Sequence, residues 1–252
     1  MYSWKTIRAF CAVLLLLPLA HLAILLARES MATMESSPTV WQNEVDRYIR
    51  QDDRASLPDS PLVVIGGRRA SLWPNLASTV SPMPLILRSL GNAIVDDFIY
   101  YHDRMVSFYR PAAVVLLPGS TEFHHRANNS AGQLVASIKT LVDLDTSLSK
   151  RRRFYVFAPI KTPLHREDWP TIDAAVAKLA KWGIDHPAFE LIDPNPLLSA
   201  PDGTPDSTFF RSEGIQLNDA GYLRLDMLLR QALVEDFPAV FSPTTSTANA
   251  HR

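Results

Sequence analysis

A single three-layer α/β/α domain on a five-stranded parallel sheet is the architecture this chain predicts, and three observations point to it. Short continuous apolar runs, not alternating ones, recur between turn-forming residues, as strands buried on both faces require. Helical stretches separate these runs one by one, which is the order of β-α-β winding. The pair Gly66-Gly67 closes the first apolar run and opens a helix. Such a strand-to-helix turn floors ligand sites in open parallel sheets, because free N–H groups collect there.

The elements follow in order. Residues 1–28 hold an apolar stretch, residues 10–27, broken only by His21 and preceded by Lys5 and Arg8. Its length is near the roughly 20 residues that cross a bilayer and exceeds a usual signal-peptide core. It lacks the polar face of a soluble helix. The basic flank orients the N-terminus to the cytoplasm and the body to the exported, periplasmic or extracellular side. A transmembrane anchor is therefore expected, with secretion after signal cleavage as the alternative. Residues 29–60 read as linker plus a short helix, on the spacing of Trp41, Val45 and Ile49.

Residues 61–236 form the predicted domain. Strands are expected at 62–65, 84–87, 112–117, 154–160 and 189–192. Helices are expected at 71–77, 92–109, 132–148, 171–182 and 217–234, the last capped by Asn218. Residues 193–211 make a long Pro/Asp/Ser loop, and long loops in compact domains are often functional. Residues 237–252 read as a disordered polar tail.

Composition excludes some classes. The formal net charge is −1 and no basic stripe is present, so nucleic acid is not an expected partner. Cys11 is the only cysteine, which removes an intrachain disulfide framework and a cysteine metal cluster. His124-His125 lack a third ligand at standard spacing, so no metal is expected, and no cofactor motif is legible. The run 150–153 reads as a solvated turn. Asn128-Asn129-Ser130 matches a glycosylation sequon, a pattern common by chance.

Five blocks in order are similar to the SGNH/GDSL hydrolase superfamily, in the branch whose first block reads like G-S-S-S-I-R-L-W. Gly66-Gly67-Arg68-Arg69-Ala70-Ser71-Leu72-Trp73 stands for that block. Leu87-Arg88-Ser89-Leu90-Gly91-Asn92 stands for N-R-G-F-G-G. Leu117-Pro118-Gly119-Ser120-Thr121-Glu122 stands for the strand ending in G-x-N-D. Ile160-Lys161 follows the fourth strand, and residues 213–222 stand for D-G-x-H-L-N-x-x-G-Y. The resemblance covers about residues 61–235 and implies a flavodoxin-like strand order and ester hydrolysis.

The working positions depart from that pattern. Where the resemblance implies a serine nucleophile, Arg68 stands. Asn92 and Thr121 stand for the oxyanion-hole glycine and asparagine, and Glu213 and Gln216 for the Asp-x-x-His pair. A guanidinium stays protonated and cannot attack, and an amide does not titrate and cannot act as base. Asn92 keeps a backbone N–H, Thr121 a hydroxyl and Glu213 a carboxylate, so an anion-binding hollow can outlast the hydrolytic machinery.

Arg68 has two readings: anion capture, with Arg69, beside a helix N-terminus, or an ion pair with Glu122 or Glu213, the reading the residues favour. Candidate ligand-binding residues are Gly67, Arg68, Arg69, Asn92, Thr121, Glu122, Glu213 and Gln216. Relocated nucleophiles to weigh are Ser71, Ser120 and Ser89, with His102, His124 and His125 as bases; Ser71 reads first as a helix N-cap. The expectation is a membrane-anchored, non-hydrolytic protein that binds acylated or anionic envelope material, glycan included. The alternatives are a relocated ester hydrolase or acyltransferase, and a structural partner of an envelope protein.

Overall fold

Five parallel strands carry the fold: β1 (Leu62–Gly66), β2 (Leu85–Ser89), β3 (Ala113–Leu117), β4 (Arg153–Phe157) and β5 (Phe189–Ile192), ordered β2-β1-β3-β4-β5. The computed structural model describes residues 37–242, apart from 125, 126, 128, 150 and 151, and positions 4, 8, 14, 16–19 and 21–25. β1 and β3 are buried along their whole length, as their continuous apolar sequences require. In register, Val64 lies between Leu87 and Val115.

Alternate residues of each strand feed two cores. Val63, Ile65, Val114, Leu116, Phe154 and Val156 face one side. There they meet α1 (Gln42–Asp52), α4 (Val95–Tyr100), α5 (His102–Met105), α6 (Ala131–Leu148) and α7 (Trp169–Gly183). Leu62, Val64, Val115, Leu117, Tyr155 and Phe157 face the other. They meet α2 (Arg68–Ser71), α3 (Leu76–Val80) and α8 (Asp219–Asp236), followed by the short α9 (Pro238–Phe241). The sheet is covered on both faces, as three layers demand.

Several boundaries differ from expectation, each for a local reason. The helix expected over 92–109 is broken into α4, α5 and a 3-10 turn, Ser107–Tyr109. The Asp97 carboxylate accepts the Ile94 N–H at 2.9 Å and delays the start to Val95. The helix expected at 71–77 divides into α2 and α3 around Pro74-Asn75, since proline supplies no N–H to continue a helix. β4 stops at Phe157, two residues before Pro159. Arg152 is buried against Asp145, so the 150–153 run is not wholly solvated. Asn218 caps α8 as expected, its side chain accepting the Gly221 N–H at 3.1 Å.

Among the described residues no helix is long and apolar enough to cross a membrane. Residues 14, 16–19 and 21–25 are helical and exposed. The rest of the expected 10–27 span lies outside the described residues, as do most of the linker and Asn128 of the sequon; the tail expected to be disordered from 237 begins instead with α9, because Phe241 packs against the second core, and its residues from 243 lie outside the described residues.

Candidate functional site

Close backbone approach builds the site at the carboxyl ends of the strands. A Cβ on Gly66 would lie 2.7 Å from the Leu117 carbonyl oxygen, and one on Gly67 2.9 Å from that of Gly91. Both positions therefore need glycine, and the loops after β1, β2 and β3 draw together. A cavity of about 450 Å³ opens above them. The β1 loop supplies Arg68 and Leu72, the β2 loop Asn92, and the β3 loop Ser120, Thr121 and His124. The β4 loop supplies His165, and the segment before α8 supplies Arg211, Glu213, Ile215 and Gln216.

Arg68, Asn92, Thr121, Glu213 and Gln216, distant in sequence, thus line one cavity. Gly67 and Glu122 do not line it. Arg69 reaches a recess of about 20 Å³ that shares Arg68, Asn92, Ser120, Thr121 and Gln216 with the cavity.

The expected ion pair of Arg68 is not formed. Arg68 is exposed and makes no ion pair with Glu122 or Glu213, and its backbone N–H donates to the Gly91 carbonyl at 2.5 Å. Glu122 has turned inward to 1% exposure. Its Oε1 accepts the Val95 N–H at 2.7 Å and its Oε2 accepts from Asn129 at 3.1 Å. Burial pushes its carboxyl up to about 8, against the pull of those two donors. Glu213 is exposed and its Oε1 accepts the Gln216 N–H at 3.3 Å.

The hydroxyls are mostly committed elsewhere. Ser71 is the last residue of α2, not its cap, and its Oγ donates to the Arg68 carbonyl at 2.8 Å. Thr121 Oγ1 donates to the Ala93 carbonyl at 3.2 Å, so it does not offer the free donor its type implied. Ser89 ends β2, where Tyr48 Oη binds its backbone. Ser120 lines the cavity, but among the described residues no serine hydroxyl hydrogen-bonds to a histidine. His102 is buried at 3.1 Å from Asp145 and does not line the cavity. His125 lies outside the described residues.

Arg69 is the unusual charge. It is 3% exposed, its Nη2 donates to the Ile215 carbonyl at 3.0 Å, and its Nε has no partner. No carboxylate pairs with it among the described residues. Desolvation lowers its pKa to about 10, so it remains cationic at neutral pH. The Gln216 Oε1, in the same recess, is a buried acceptor without a partner. The residues lining this space for one water-sized group thus carry an unpartnered donor and an unpartnered acceptor.

One cluster escaped the sequence. The rings of His124 and His165 lie with centroids 4.2 Å apart, tilted by 38°. Asp168 Oδ2 is 2.6 Å from His124 Nε2, and Glu167 Oε1 is 3.2 Å from His165 Nδ1. Their spacing along the chain fits no ligand motif. The available signal was topological, since the loops after β3 and β4 leave adjacent strands at the same end of the sheet.

No family model matches the chain, and no curated protein matches it in sequence. Solved structures do. A GDSL-like lipase from Bacteroides thetaiotaomicron is 15% identical with a TM-score of 0.65, covering 76% of this chain and 97% of its own. A lipase/acylhydrolase from Enterococcus faecalis is 14% identical with a TM-score of 0.56, covering 69% and 95%. The acetyl xylan esterase AlAXEase is 18% identical with a TM-score of 0.52, covering 68% and 99%. The fold is that of the SGNH/GDSL hydrolases, and at these identities the likeness is one of fold.

Proposed function

We propose that this chain is a non-hydrolytic binding protein on an SGNH/GDSL-hydrolase fold, exported and held at a membrane by its N-terminal segment. Its strand-end cavity takes an anionic, hydroxylated ligand, of which an acidic glycan is the simplest chemical class. One observation carries the reading: Arg69 is buried without an acidic partner in the recess below Arg68. A buried charge without a partner is expensive, so an anion at this place restores what the protein itself withholds. Arg68 and Arg211 line the same cavity, against Glu213 as its carboxylate among the described lining residues. The unpartnered donor Arg69 Nε and acceptor Gln216 Oε1, on residues that line one small recess, favour a hydroxylated ligand over a bare inorganic anion. The glycan class otherwise rests on analogy with the fold's hydrolases.

The test is titration calorimetry of the full chain with a hexuronic-acid oligosaccharide and with a neutral hexose oligosaccharide of equal length. The uronic acid should bind, and Arg68→Ala should weaken it about tenfold, the loss of one charge-assisted contact. Equal binding of the two sugars, or of the two proteins, would sink the reading.

A second reading has its own observation. Ser120 and His124 share the cavity and Asp168 orients His124, the parts of a relocated nucleophile, base and carboxylate. Turnover of a short-chain acyl ester by the wild type, lost in Ser120→Ala, would replace the binding reading with this one.

A further inference from the structure

The geometry points to a divalent transition-metal site of the Zn²⁺ class at the rim of the cavity, held by His124, His165 and Glu167, with Asp168 orienting His124. One ligand atom from each of the three lies within 4.8 Å of the other two. The distance of 3.2 Å from His165 Nδ1 to Glu167 Oε1 is significant. Ligands bonded at 2.0–2.2 Å to one tetrahedral Zn²⁺ stand roughly 3.3 Å apart. That pair therefore already spans one edge of a coordination tetrahedron. The third ligand closes by side-chain rotation of about 1.5 Å at most, to reach the same spacing.

The donor set selects the ion. Two imidazoles and a carboxylate suit Zn²⁺, Co²⁺ or Ni²⁺, and they are poor company for Ca²⁺ or Mg²⁺, which take oxygen. The two imidazole rings already lie side by side, with centroids 4.2 Å apart. The Asp168 carboxylate, 2.6 Å from His124 Nε2, is the outer partner that metal-binding histidines ordinarily have. Both imidazoles line the cavity, so a fourth coordination position faces into it. The site comes from three loop residues and stands whether or not the cavity binds an anion.

The competing role for these residues is a hydrogen-bonded brace between the β3 and β4 loops. Tag-free full-length protein in detergent, stripped by a chelator, separates the two. It is titrated with Zn²⁺ against a chromophoric chelator, and with Co²⁺ by visible absorption. One equivalent should bind, with the intense bands of four-coordinate Co²⁺. His124→Asn and His165→Ala should each weaken Zn²⁺ at least tenfold, and Asp168→Asn about tenfold. Glu167 is exposed, so Glu167→Gln keeps the fold and should weaken Zn²⁺ as well. Zn²⁺ should raise the melting temperature of the wild type and not of the histidine variants. Absence of stoichiometric binding, or variants that bind like the wild type, would overturn the site. A brace would lower the apo melting temperature in the variants and leave no metal to lose.

Discussion

Glu122 shows what happens when a polar residue keeps its place but changes its task. The resemblance aligns it with an acidic residue beside the oxyanion donor, yet here it clamps the backbone at Val95 to the β3 loop from inside. Burial raises its carboxyl from 4.5 to about 8. Between those values the native protein holds a proton that the unfolded chain has released. Stability therefore falls as pH rises through this window, by at most roughly 1.4 kcal/mol for each pH unit crossed. Glu122→Gln keeps an acceptor for Val95 and removes the titration. The expected result is a melting temperature that declines from pH 5 to pH 8 in the wild type and declines less in the variant. Equal slopes would show that Glu122 is ionised in the fold. At this scale the sequence told residue type and not direction. The replacements at Arg68 and Gln216 were legible, because they follow from chemistry alone. The inward turn of Glu122, the commitment of Thr121 to Ala93 and the burial of Arg69 depend on side-chain orientation, which one sequence does not carry.

Elements are held together by polar contacts that hydrophobic periodicity does not announce. Asp145, near the end of α6, is fully buried and accepts from Arg152, just before β4, and faces His102 of α5 at 3.1 Å. Arg152 Nε also donates to the Pro111 carbonyl at 3.0 Å, so the group ties helix layer to sheet. Removing one partner of a buried pair strands the other charge and costs about 3–5 kcal/mol. Asp145→Ala should therefore lower the melting temperature by roughly 6–20 °C for a domain of this size, read by circular dichroism. A shift of a degree or two would mean that water reaches Arg152 freely. Strands β1, β3 and β5 were legible to within a residue: β1 and β3 are fully buried runs closed by glycine or proline, and β5 lies between Pro187 and Pro194. The helix over 92–109 was not. Its apolar spacing continues through the interruptions, and its late start at Val95 is set by the Asp97 carboxylate that accepts the Ile94 N–H.

The whole molecule places every family-like block at one end of one sheet, and the order β2-β1-β3-β4-β5 is the flavodoxin-like one the resemblance implied. The blocks were legible because each ends a strand; the His124–His165 cluster was not, because no motif spans two loops. Whether this assembly is held at a membrane is a separate physical question. Leu14, Leu16, Leu17, Leu19, Leu22, Ile24 and Leu25 are each about half exposed or more. A soluble monomer rarely leaves so many large apolar side chains of one segment in water. Burying these side chains in hydrocarbon stabilises each by about 1.5–3 kcal/mol, ample for lasting attachment. The chain expressed with its native N-terminus should sediment with membranes and stay there after an alkaline carbonate wash. A variant lacking residues 1–28 should stay soluble with the same domain melting temperature. Intact mass of the wild-type product separates the alternatives. Full mass in the membrane pellet supports the anchor, whereas a soluble product shortened by the apolar segment means that the segment is a cleaved signal and the domain works free of the membrane.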